Sequence, residues 1–179
     1  MSTSTAQTEH VYKTMSSPVG ELKLVAGDRG LAGVLWSPER PGRGRAKAMR
    51  EDARHATLVE GQRQLEEYFA GKRKKFELEL DFVGTDFQKR VWNALLEIPF
   101  GETRTYGEIA KQLGDPKLMR AVGAANGQNP IPIIAPCHRV IGASGDLIGF
   151  GGGLTRKSQL LDLEQGKLRF NFAGSETAA

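Results

Sequence analysis

The stretch TYGEIAKQLGDPKLMRAVGAAN, Thr105–Asn126, decides the fold of this chain. Thr105 and Glu108 have the spacing of a capping box, in which each side chain satisfies a backbone N–H left free in the first helical turn. The helix they start runs to Leu113 and stops at Gly114. Asp115-Pro116 opens a second helix at once, with Asp as N-cap and Pro at the first helical position, running to about Asn126. Two short helices joined by so tight a turn, with Ala110 four residues before Gly114, read either as a helix-turn-helix or as an ordinary helical corner. The second helix is nearly bald: after Arg120 come Ala121, Val122, Gly123, Ala124 and Ala125. Gly123 alone costs about 1 kcal/mol of helix stability relative to Ala. So slim a face serves tight packing on a neighbouring helix, or close approach to a DNA groove with Arg120 as the one long side chain projecting into it.

Downstream, Asn129–Gly142 reads NPIPIIAPCHRVIG. It turns at the Asn-Pro step, becomes almost wholly apolar, and reaches the chain's single cysteine, Cys137, between Pro136 and His138. A thiol attacks as thiolate, a minor species at neutral pH when the pKa is about 8.5. A neighbouring base makes up the deficit, and histidine is the usual one. In extended backbone adjacent side chains point apart, so a kink at Pro136 or a bridging water must join the two. After a turn at Ser144-Gly145-Asp146, the run Phe150-Gly151-Gly152-Gly153 can lie its backbone against a flat ligand. It lacks the Lys-Ser/Thr of a phosphate loop. Thr155 is expected to cap a last helix, on which Leu160 and Leu161 precede Glu164 by four and three residues. That carboxylate shares the apolar stripe and is either an inward-facing partner for His138 or a salt-bridged helix end. On these residues alone, Cys137-His138 is a nucleophile with its base, or a buried small hydrophobe beside a surface imidazole.

Upstream of the helix pair, Thr85-Asp86 caps a helix bearing Phe87, Val91, Leu95 and Ile98 on one stripe and ending at Pro99. Val11–Trp36 alternates in three short runs punctuated by Ser17-Pro18-Val19-Gly20 and Gly27-Asp28-Arg29-Gly30, the pattern of an antiparallel meander. A helical face follows over about 56–70 (Leu58, Val59, Gln62, Leu65, Tyr68, Phe69), stopped by Gly71. Phe76, Leu78, Leu80 and Phe82 then alternate with acidic residues as a half-buried strand. The expected fold class is α+β: residues 1–82 a small sheet with a helix, residues 83–179 a mostly helical unit. Residues 1–9 and about 170–179 read as disordered tails, and 37–55, rich in Pro, Gly and Arg, as a mobile loop.

At 179 residues the chain is long enough for one ordinary domain or two small ones. With 39% hydrophobic and 26% charged residues it is globular in composition. One cysteine forms no internal disulfide, and with three histidines offers no convincing zinc site, so no metal is expected. A lone free thiol points to the reducing cytoplasm. No apolar run is long enough to span a membrane. The net charge of +4 permits a polyanionic partner without demanding one, and Lys72-Arg73-Lys74-Lys75 reads as a solvated turn.

PCHRVIG, preceded by NPIPIIA and followed by GGG-L-x-x-K, with T-Y-G-E-I-A and R-A-V-G-x-A ahead of it in that order, closely resembles the methylated-DNA–protein-cysteine methyltransferases, the O6-alkylguanine-DNA alkyltransferases. The motifs cover about 85–165, and the first 80 residues match in kind a ribonuclease-H-like N-terminal domain. The resemblance implies a winged helix-turn-helix-like C-terminal domain carrying the active site. It implies direct DNA repair, in which an alkylated guanine (or O4-alkylthymine) is flipped out of the duplex and its alkyl group moves irreversibly, once, to Cys137, without cofactor. By the same resemblance His138 is the base acting through a water, Glu164 its orienter, Asn129 a brace and Tyr106 a donor to the leaving guanine. Arg120 fills the vacated stack, while Ala121, Gly123 and Ala124 line the helix entering the minor groove of double-stranded DNA. Val140, Ile141, Gly151 and Gly152 are expected as base-pocket walls. A monomer is expected, with clustering on DNA left open. The competing functions are an alkylguanine-binding protein without repair, a helix-turn-helix regulator and a cysteine hydrolase, the last needing an oxyanion hole.

Overall fold

The computed structural model describes residues 9–37, 49–147 and 153–171. Three strands, β1 (His10–Met15), β2 (Leu22–Gly27) and β3 (Gly30–Trp36), form the expected antiparallel meander. A fourth, β4 (Met49–Glu51), lies parallel to β1, so the sheet is mixed with order β3-β2-β1-β4. Part of the span read as a mobile loop is therefore sheet; residues 38–48 of it, like 1–8 and 172–179 of the expected tails, lie outside the described residues. Phe170, placed in the C-terminal tail, instead packs edge-on against Phe69 with ring centroids 6.2 Å apart.

Helix α1 (Ala56–Phe69) covers the sheet with Leu58, Leu65, Tyr68 and Phe69, all fully buried against Leu22, Leu24 and Leu31. Val59 is 44% exposed, so the buried face is rotated from the one expected and takes in Gln64. Gln64 is buried because its amide answers a backbone: Oε1 accepts from Glu77 N (2.9 Å) and Nε2 donates to Glu77 O (3.1 Å). The 76–82 segment keeps its alternation, yet it is not a strand. It touches β3 at one bridge, Leu31–Leu80, with Leu31 N donating to Glu79 O and Asp81 N to Leu31 O. Further along the same edge Val34 N donates to Pro130 O (2.9 Å), so a segment from the other half of the chain occupies the ladder that 76–82 would need.

The second unit begins at α2 (Asp86–Leu96), where Thr85 and Gln88 form a complete capping box. Strand β5 (Arg104–Thr105) leads into α3 (Tyr106–Gln112), with Thr105 Oγ1 accepting from Glu108 N. Gly114, at φ 108, makes the turn. Asp115 caps a 3-10 turn (Pro116–Leu118) before α4 (Met119–Gly127), so the second helix of the pair starts tighter than expected. Trp92 of α2 donates through Nε1 to Ala125 O (2.9 Å), and Arg90 Nη2 to Leu113 O (2.8 Å), locking all three helices together. Strand β6 (Val140–Ile141) pairs in parallel with β5. Helix α5 (Leu154–Glu164) starts after Gly153 at φ 97; Thr155 lies inside it and caps nothing, the positive-φ glycine having set the start.

Candidate active site

The site begins with a strained loop. Asn129 Oδ1 accepts from Ile131 N (3.0 Å) and Nδ2 donates to Ala135 O (2.7 Å), so one buried side chain clamps the loop at both ends. Between them Ile133 sits at φ 75, a left-handed conformation costing a β-branched residue about 1–3 kcal/mol. Pro136, at φ −81 and ψ 69 with Cys137 N donating to Ala135 O (2.8 Å), makes an inverse γ-turn. Cys137–Arg139 then forms one 3-10 turn instead of extended backbone. The kink at Pro136 thus exists, and Cys137 (3% exposed) and His138 (0%) are both buried after it.

His138 does not reach outward. Its Nε2 lies 2.6 Å from Glu164 Oε2 at the end of α5. The same carboxylate accepts from Arg139, Nε to Oε1 at 2.7 Å and Nη2 to Oε2 at 3.1 Å, and from the Tyr68 hydroxyl at 2.5 Å. Burial pushes the Glu164 carboxyl up, but His138 and Arg139 outweigh it and hold the pKa at about 2. An ionised carboxylate can only accept, so Nε2 of His138 carries the proton and Nδ1 is the basic nitrogen. Nδ1 is buried and has no hydrogen-bond partner among the described residues. Burial lowers the His138 pKa, against the pull of Glu164, so the ring is held neutral and fit to accept a proton.

Tyr106, at the start of α3, is 8% exposed, and Lys157 Nζ lies 5.9 Å from its ring centroid. Burial and the neighbouring Cys137 raise the Tyr106 pKa, while a hydrogen bond from Asn126 opposes them. Asn126 Nδ2 also reaches Cys137 O at 3.4 Å. Lys157 Nζ donates to Val140 O (2.5 Å); burial lowers its pKa to about 8, opposed by Cys137. A cation beside the thiol favours thiolate.

On α4 the exposed residues are Met119, Arg120, Ala121 and Ala124, while Val122, Ala125 and Asn126 face inward. The slim run is thus divided: Ala121 and Ala124 lie open, while Val122 and Ala125 pack inward, where Trp92 of α2 meets Ala125 O. Gly123 lies between: it is half-buried, and a Cβ there would sit 3.9 Å from the Tyr106 ring. Val140 is fully buried and Ile141 half-buried; Gly151 and Gly152 lie outside the described residues. Four groups at the site went unread in the sequence: Arg139, Tyr68, Asn126 and Lys157. Arg139 and Lys157 stood in the quoted motifs PCHRVIG and GGG-L-x-x-K, Asn126 closed the quoted Thr105–Asn126 stretch and Tyr68 lay on a helical face, but none of them was given a role. Among the described residues no cluster of His, Cys, Asp and Glu could hold a metal ion, and no helix is long and apolar enough to cross a membrane.

A helix pair that brings Tyr106 and Asn126 to a single buried thiol, next to a histidine–glutamate pair, is the arrangement of a cysteine alkyl acceptor that meets DNA. The chain belongs to the 6-O-methylguanine DNA methyltransferase family: the model of that family's DNA binding domain matches residues 86–166, and that of its ribonuclease-like domain matches 10–82. It is 52% identical over 153 residues to the methylated-DNA–protein-cysteine methyltransferase of Mycobacterium leprae, covering 86% of this chain and 91% of that protein. It is 51% identical over 156 residues to the protein of that name from Methanosarcina acetivorans, covering 86% and 97%. The crystal structure of Mycobacterium tuberculosis OGT in complex with DNA matches with a TM-score of 0.80 at 50% identity, over 89% of this chain and 95% of that one. The α+β architecture, a small N-terminal sheet followed by a helical unit, is shared with it.

Proposed function

We propose that this chain repairs DNA directly, taking the alkyl group from O6-alkylguanine, and from O4-alkylthymine, onto Cys137 in a single turnover. The observation that carries the reading is the buried arrangement of Cys137 and His138 in the 3-10 turn with Glu164 at the end of α5, Glu164 ionised and His138 neutral. His138 Nδ1 removes the thiol proton through a water. The sulfur attacks the alkyl carbon as the carbon–O6 bond breaks, and the electron pair stays with guanine. Tyr106 passes its proton to the guanine ring as that charge develops, so the base leaves neutral, and the thiol proton taken up by His138 returns through water to the tyrosinate. The product is a thioether with no carbonyl for water to attack, and the protein is spent. No cofactor enters the step.

Arg120, Ala121 and Ala124 form the surface that enters the minor groove, Arg120 replacing the flipped nucleotide in the stack. Their joint exposure on α4 supports this. Val140 and Ile141 wall the base pocket. The protein acts as a monomer in the cytoplasm. Incubation with duplex DNA carrying radiolabelled O6-methylguanine tests the reading. One label per protein, lost in Cys137→Ser, is the expected result; multiple turnovers or unlabelled protein refute it. Arg120→Ala should slow repair of duplex DNA more than reaction with free O6-benzylguanine, and equal loss on both would remove the stacking role.

A further inference from the structure

We propose that Tyr68, contributed by α1 of the N-terminal unit, is a positioning residue of the alkyl-transfer centre, fixing Glu164 and tempering the charge it presents to His138. The inference rests on the proposed function and deepens it.

Tyr68 is fully buried and stands 96 residues before Glu164 in sequence. Its ring packs among Phe69, Phe76 and Phe100, with centroids 5.4, 5.4 and 6.2 Å away. Packing alone would be served by phenylalanine. The hydroxyl instead ends 2.5 Å from Glu164 Oε2, the oxygen that also holds His138 Nε2 at 2.6 Å. Burial, with Glu164 beside it, drives the Tyr68 pKa well above its ordinary value, so the hydroxyl keeps its proton and donates.

A buried carboxylate next to an imidazole ordinarily draws it into the charged form, which cannot act as a base. The groups facing His138 are Glu164 and Lys157 from α5 and Arg139 from its own turn. Only Glu164 favours imidazolium, so how strongly its oxygen binds His138 sets whether the base is available. Arg139 shares its two oxygens, and Tyr68 donates to the very oxygen that meets the imidazole. Without that third donor, Oε2 concentrates its negative charge on His138.

The test is Tyr68→Phe, which keeps the ring and removes one oxygen. The rate of alkyl transfer from free O6-benzylguanine is measured across pH 5–9, and the ¹⁵N-histidine spectrum, containing three residues, is titrated in parallel. The acid limb of the rate profile and the His138 titration should both move to higher pH by about half a unit or more. Phe76→Leu is the control: it disturbs the same aromatic cluster without touching the hydroxyl and should leave both unchanged. An unshifted Tyr68→Phe profile, or the same shift in both variants, overturns the proposal. If wild type transfers no alkyl group, the proposed function has failed instead.

Discussion

Replacing Arg139 by methionine keeps the length and apolar bulk of the side chain but removes both of its bonds to Glu164 and the bond from Nη1 to Ile98 O. Glu164 is 6% exposed, so its charge cannot be handed to water. The gap between its ordinary 4.5 and about 2, at roughly 1.4 kcal/mol per unit, makes its ionisation worth about 3 kcal/mol to the fold. Breaking one partner out of a buried pair costs about 3–5 kcal/mol. At about 2–4 °C per kcal/mol for a chain of this size, Tm should fall by roughly 10 °C. The sign with pH follows from a depressed carboxyl: the stabilisation is complete above the unfolded pKa of 4.5 and is lost as pH falls toward 2. In Arg139→Met the Glu164 pKa rises toward 4.5, so the acid loss still begins as pH falls through 4.5 but is smaller and is complete at higher pH. Urea unfolding followed by tryptophan fluorescence reads both units, since Trp36 ends β3 and Trp92 lies in α2. The double variant with Glu164→Gln should recover much of the loss, because the stranded charge is gone. A loss below about 1 kcal/mol in Arg139→Met, well under the expected cost of breaking a buried pair, refutes the reasoning. So does an acid dependence identical to wild type.

Asn129→Ala removes both clamps of the loop holding Ile133 at positive φ; it should cost about 2–3 kcal/mol in urea unfolding and slow alkyl transfer, since Cys137 loses its fixed approach. Gln64→Leu strands the N–H and C=O of Glu77 and should destabilise by about 2 kcal/mol by thermal melting, leaving transfer to Cys137 intact. Gly123→Ala meets the Tyr106 ring at an ordinary 3.9 Å, so it should fold and gain up to about 1 kcal/mol from helix propensity. Gly30→Ala is its opposite. At φ 148 a Cβ would lie 2.4 Å from Glu79 O, and expression as soluble protein should drop sharply.

The helix starts at Thr85, Thr105 and Asp115 were legible because a cap is a local bargain between neighbours a few residues apart. Thr155 misled because a threonine near a helix start looks like a cap whether or not a glycine has already set the boundary. The 76–82 segment showed its two faces correctly, but alternation reports burial, whereas a strand also needs a free partner edge. That edge was taken by Pro130, far away in sequence. At the site, Cys137 and His138 announced themselves by adjacency. Tyr68 did not, because an apolar stripe absorbs a tyrosine without comment and its hydroxyl answers to a residue almost a hundred positions on. Arg139, adjacent to a histidine, gave no sign of facing inward; only the 3-10 turn carries it there.

The bond from Val34 N to Pro130 O has a bearing on solubility. The outer edge of β3 is covered at one end by the pass through Leu80 and at the other by Pro130, immediately after the loop clamp at Asn129. A covered edge cannot template pairing with another chain. The N-terminal sheet expressed without the second unit would bare this stretch, and it should self-associate edge to edge. Within the intact chain, any loosening of the loop that presents Cys137 uncovers the same edge, so the loop guarding the thiol also guards the protein against aggregation.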